Sequence, residues 1–142
     1  MNVNSILCNI GKTLLVLILV LITLSIQAHE TMRKTSDGTY VINTTTLCKD
    51  VHGFKRNATT PVEVYIRKDK VVKVVALQNQ ESPGYFSKVK KFLLPLFSDV
   101  KVSKAKKIVD QNTVDGCTGA TFSTHAVQKN IKAALDYYER NK

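Results

Sequence analysis

Apolar and polar positions alternate from Val62 to Arg67: Val62, Val64 and Ile66 are separated by Glu63 and Tyr65, with Arg67 closing the run. A period of two predicts a strand with one buried face. After Lys68-Asp69-Lys70 the β-branched pattern resumes from Val71 to Leu77, so the two runs read as a β-hairpin. The second arm is more continuously apolar than the first, which predicts a central strand buried on both faces, with helices or loops covering both sides of the sheet. Thr39 to Leu47, rich in Thr, Val, Ile and Tyr, predicts an earlier strand, and His52 to Thr60 reads as a polar loop.

Beyond the hairpin the period lengthens. Gln78 to Gly84 is a turn-forming stretch in which Pro83 disfavours helix before it and Gly84 permits positive φ. Val89, Phe92, Leu93 and Leu96 then share one helical face, and Pro95 should end or bend that helix near Leu94. Lys101 to Lys107 reads as a solvated basic connection and Ile108 to Val114 as a short strand. The clearest helix is C-terminal. Val127, Ile131, Ala134, Leu135 and Tyr138 fall at i, i+4, i+7, i+8 and i+11, and the helix is expected to start close to Ser123 as its N-cap. Together these elements predict an α+β fold, an antiparallel β-sheet packed with helices in a single small domain.

The chain has 142 residues, 44% of them hydrophobic and 23% charged, which is enough for one core. Leu14 to Ile26 is nearly pure aliphatic, follows Lys12, and at about 13 residues falls short of the roughly 18 to 20 that span a bilayer. We therefore read residues 1–28 as a signal peptide cleaved after Ala28, with an inner-membrane anchor over residues 13–27 as the alternative, and residues 29–142 as the working domain. Either reading predicts a periplasmic or otherwise extracytoplasmic location. Losing Lys12 lowers the net charge from +10 to +9, and the remaining Lys and Arg are spread along the chain as on a solvated surface. Export argues further against a nucleic-acid partner. Cys8 would leave with the signal, while Cys48 and Cys117 could pair or remain small buried residues.

Before the C-terminal helix stands Asp115-Gly116-Cys117-Thr118-Gly119-Ala120-Thr121, two hydroxyls around a Gly-Ala pair with a carboxylate in front. Small residues let backbone approach a ligand, and the unpaired N–H groups and dipole of a helix N-terminus favour an anion such as phosphate. On the residues alone, an ordinary capped helix start accounts for the turn as well. The segment resembles the Asp-x-x-(Ser/Thr)-Gly-Ala-Thr signature of FMN-binding domains, found in the flavin subunits of sodium-pumping NADH:quinone reductase and of the related Rnf electron-transport complex. The resemblance implies that Thr121 receives FMN through a phosphoester bond, installed by a flavin transferase that uses FAD and magnesium. It implies that Asp115 is recognised by that transferase and that Thr118, Gly119 and Ala120 form the turn presenting the hydroxyl.

Glu81-Ser82-Pro83-Gly84-Tyr85 is similar to the family's Glu-Thr-Pro-Gly loop, which implies that Glu81, Pro83, Gly84 and Tyr85 lie against the flavin. Gly53-Phe54 likewise resembles the glycine-aromatic segment ahead of the first hairpin arm. Phe54, Tyr85 and Phe86 are candidates for packing on a flat ring, with plain core roles as the alternative for each. No His, Cys and carboxylate cluster at metal-ligand spacing and no paired-carboxylate or Ser-His-Asp arrangement is visible, so no catalytic residue and no metal is assigned. His125 is the one candidate base near Thr121, against the commoner reading of a surface histidine. The expectation is an electron carrier between a membrane donor and an unknown acceptor, itself the substrate of the transferase. Two alternatives stand beside it: a module holding FMN noncovalently, and a flavin-reductase-type enzyme.

Overall fold

The computed structural model describes residues 30–142. The predicted signal or anchor segment lies outside the described residues, and among those described no helix is long and apolar enough to cross a membrane. Five antiparallel strands pair strictly in chain order: β1 (Met32–Lys34), β2 (Tyr40–Asn43), β3 (Val62–Arg67), β4 (Lys70–Ala76) and β5 (Val100–Lys101). Among the described residues three α-helices accompany them: α1 (Pro83–Lys88), α2 (Val102–Val109) and α3 (Thr121–Asn141). The α+β architecture read from the sequence is the one observed.

The β3–β4 hairpin turns at Lys68 and Asp69, both at positive φ (51° and 57°), the pair of left-handed residues that a tight two-residue hairpin requires. The β4 pattern differs from the expectation of burial on both faces. The register shifts between Tyr65 and Ile66, so Val72 is an extra residue in the ladder, and Val71 and Val74 are buried while Lys73 and Val75 are exposed. A β-bulge, not two-sided burial, lengthened the apolar run. The first strand is shorter than predicted, ending at Asn43, and β1 precedes it as a three-residue edge strand that sequence reading missed.

Pro83 does not merely end a turn. It occupies the first turn of α1, where its missing N–H costs nothing, and Gly84 lies inside that helix without positive φ. The chain then widens into a π-helical segment at Val89–Leu93 and tightens into a 3₁₀ turn at Leu94–Phe97, where Pro95 sits. This changing pitch buries Phe86, Val89, Leu93 and Phe97, whereas Phe92 and Leu96 remain partly exposed. The basic stretch after Lys101 is helix, not connection: Val102, Ala105, Ile108 and Val109 of α2 enter the core with the lysines outside. The strand expected at Ile108 to Val114 is instead the end of α2 and the loop after it.

Helix α3 buries Val127, Ile131, Ala134, Leu135 and Tyr138, as its spacing predicts, against the sheet face carrying Ile42, Val64 and Ile66. Its C-terminal end is pinned to the hairpin turn. The Tyr138 phenol donates to the Asp69 carboxylate at 2.9 Å, Lys142 pairs with the same group at 2.8 Å, and the Tyr138 ring meets Tyr40 edge to face at 5.4 Å.

Candidate functional site

Helix α3 begins at Thr121, two residues before the expected Ser123 cap. Ala120 occupies the cap position, and no side chain caps the helix. Ala120 and Thr124 N–H groups are paired, to Cys117 and Ala120 carbonyls, while those of Thr121, Phe122 and Ser123 open the helix without an internal acceptor. The preceding turn carries Gly116 at φ +84° and Gly119 at φ +83°, a backbone region that side-chain-bearing residues rarely adopt. Gly116 is also held by contact, since a Cβ there would fall 2.5 Å from Phe92 Cγ. The turn leaves Asp115, Thr118, Gly119 and Thr121 exposed and Ala120 buried. Lys88 reaches across from α1 and donates to the Thr118 carbonyl at 2.7 Å.

Two clefts meet at this turn. One, of about 240 Å³, is lined by Thr118, Gly119, Thr121, Thr124 and His125 among others. The Thr124 hydroxyl there is buried and has no hydrogen-bond partner among the described residues. A buried hydroxyl is normally satisfied, so this one marks a place for a polar ligand atom. The other cleft, of about 160 Å³, lies between Phe54, Tyr85 and Phe122 above Gly119 and Ala120. These three aromatics are 59%, 53% and 66% exposed, an apolar grouping that solvent alone does not favour.

Glu81 organises this second cleft from beneath. Its carboxylate is 7% exposed and accepts from the N–H groups of Phe54 and Lys55, each at 3.1 Å, and from the Ser123 hydroxyl. One side chain therefore joins the Gly53-Phe54 loop to the first turn of α3. Gly53 is required beneath it, because a Cβ at that position would fall 2.6 Å from a Glu81 oxygen. Ser123 serves this joint, which is why it is not the cap.

The structure thus brings Glu81, Tyr85, Thr118, Gly119, Ala120 and Thr121 to the two clefts. Pro83 and Gly84 are exposed at the start of α1 and line neither, their place being taken by Ser82. Asp115 stands at the outer end of the turn and its carboxylate accepts no hydrogen bond among the described residues. Phe86 belongs to the core. His125 is exposed, with its Nε2–H donating to the Asn112 carbonyl at 3.1 Å, and Cys48 and Cys117 are buried free thiols, not a disulfide. Sequence reading missed Phe122 and Thr124, although both stand within three residues of the signature threonine.

A model of the FMN-binding domain family matches residues 56–136, more than half of the chain. The chain belongs to that family, and FMN is its cofactor. No curated protein and no solved structure matches it. The residues present fit the group: free helix N–H donors and the orphaned Thr124 hydroxyl suit a phosphate or ribityl oxygen, and the three exposed aromatics suit a flat ring.

Proposed function

We propose that the protein is an exported electron carrier that holds FMN covalently, through a phosphoester to Thr121, and relays electrons outside the cytoplasm. The observation that carries the reading is Thr121 itself: an exposed hydroxyl on the first residue of an uncapped helix, between a polar cleft and an aromatic one. Bound FMN supplies a ring system that takes up one or two electrons, which suits exchange between donors and acceptors of different stoichiometry.

The chain's own contribution is positional. The N–H groups of the first turn of α3 and the Thr124 hydroxyl offer donors to the phosphate end. Phe54, Tyr85 and Phe122 exclude water from the ring, and Glu81 fixes two of their three supporting segments. Among the described residues no hydrogen bond joins His125 to Thr121, and its Nε2–H goes to the Asn112 carbonyl. An external flavin transferase using FAD and magnesium is therefore the agent of attachment, with exposed Asp115 as its recognition point. The donor is a membrane component and the net +9 charge of residues 29–142 steers the domain toward acidic partners.

The same helix donors would hold the phosphate of a free FMN, so a noncovalent module is the second reading. The two part after co-production with an active transferase, denaturation and desalting. Absorbance near about 450 nm that stays with the polypeptide is the covalent outcome. Its complete removal, with the transferase active on a control protein, overturns attachment.

A further inference from the structure

We propose that a third cleft, bordered by Phe54 and Phe122 but not by Tyr85, is a second ligand site for a planar aromatic molecule carrying anionic groups. It measures about 560 Å³ and is lined by Phe54 and Phe122 together with His52, Arg56, Lys129 and Asp50. Its adjacency to flavin rests on the function proposed above; its ability to bind does not.

Charge and shape decide the ligand class. Among the described residues neither Arg56 nor Lys129 forms an ion pair, whereas nearby Lys132 is paired to Asp110 at 2.6 Å and Lys106 to Asp136 and Glu139. Two free cations thus face one cleft against a single carboxylate, Asp50. The guanidinium offers a planar fork of donors suited to sulfonate, carboxylate or phosphate. His52 donates from Nδ1 to the Ala58 carbonyl at 3.2 Å, which leaves Nε2 available to the cleft. Phe54 and Phe122, exposed by more than half, supply flat apolar surface beside those charges. A simple anion would leave the rings uncovered and an uncharged arene would leave the cations unanswered. A fused-ring acid satisfies both.

Asp50 to Phe54 form one wall of this cleft, and Arg56, Phe122 and Lys129 complete it. Because Phe54 and Phe122 also border the aromatic cleft, a ligand seated here would share two walls with a ring held there. That makes it the natural seat of a small acceptor or donor.

The test uses the exported protein, both FMN-loaded and as the flavin-free Thr121→Ala variant, titrated calorimetrically with anthraquinone-2,6-disulfonate. Saturable one-site binding to both forms is expected, and sodium sulfate at the same concentration should not compete. Arg56→Ala combined with Lys129→Ala should weaken binding by about tenfold or more, while the variant still gains FMN from the transferase and so remains folded. Absence of saturable binding overturns the proposal, as does equal binding by the double variant, which would mean general adhesion to a basic surface. Binding to the flavin-free form that disappears on loading also overturns it, because the cleft would then be the flavin's own seat. A chain that never gains FMN yet binds the disulfonate would sink the covalent reading and leave the second site standing.

Discussion

Replacing Glu81 by Ala tests whether one buried carboxylate assembles the aromatic cleft. The side chain accepts three hydrogen bonds, and its loss leaves the Ser123 hydroxyl, on a residue only 2% exposed, with no acceptor. A buried donor left unpaired costs about 1–3 kcal/mol, and hydrogen bonds to a charged acceptor stand at the upper end of their range. The Phe54 and Lys55 N–H groups lie on a loop that water reaches once the carboxylate is gone, so they add a fraction of that each. The sum is about 3 kcal/mol, a large part of the stability of a domain this size. Ser123→Ala alone should cost about 1 kcal/mol, and the double variant should fall short of the sum by about 1 kcal/mol because the two groups share one bond. Urea unfolding of the exported protein reads these values. With a slope of about 1–3 kcal/mol/M, Glu81→Ala should lower the midpoint by on the order of 1–3 M. Hydrogen exchange at the Phe54 and Lys55 amides should accelerate in the same variant. A midpoint unchanged within error, or additive single effects, would refute the idea that Glu81 joins the loop to the helix.

Other consequences follow from the same geometry. Gly116→Ala forces a side chain to φ +84° and against Phe92, so it should destabilise by about 1–3 kcal/mol; thermal unfolding measures this, and wild-type stability would show the contact to be soft. Asp115→Asn touches an exposed group that accepts no internal hydrogen bond, so it should leave the melting temperature unchanged and abolish transferase-dependent FMN gain. Unchanged gain would remove Asp115 from the recognition role. Burial, followed by the hydrogen bond to Asp69, pushes the Tyr138 phenol from 10.0 up to about 12. Its neutral form is the one the fold favours, so the linked stability is complete below the unfolded value of 10.0 and is lost as pH rises toward about 12. Alkaline ultraviolet titration should show a late phenol that Tyr138→Phe deletes.

The hairpin and α3 were legible because each carries its period without interruption: Val62, Val64 and Ile66 in one, Val127 to Tyr138 in the other. Helix α2 was hidden because Lys104, Lys106 and Lys107 outnumber what a short window shows of its apolar stripe, although Val102, Ala105, Ile108 and Val109 do share a face. The valine-rich β4 misled for a different reason, since a bulge shifts which residues point inward without changing composition. At the site, the signature turn could be read from seven adjacent residues. The cleft could not, because Phe54, Tyr85 and Phe122 come from three separated segments and nothing local says that an aromatic will stay exposed. Ser123 shows the same limit: a serine at a helix start suggests a cap until a carboxylate from residue 81 arrives to claim it.

Intact mass of the exported protein, co-produced with a flavin transferase beside a Thr121→Ala variant, tests the central claim most directly. The account predicts a gain of about 438 Da, FMN less water, that survives denaturation in the wild type and is absent from the variant. The same gain in Thr121→Ala, or none in the wild type with the transferase active on a control protein, would contradict it.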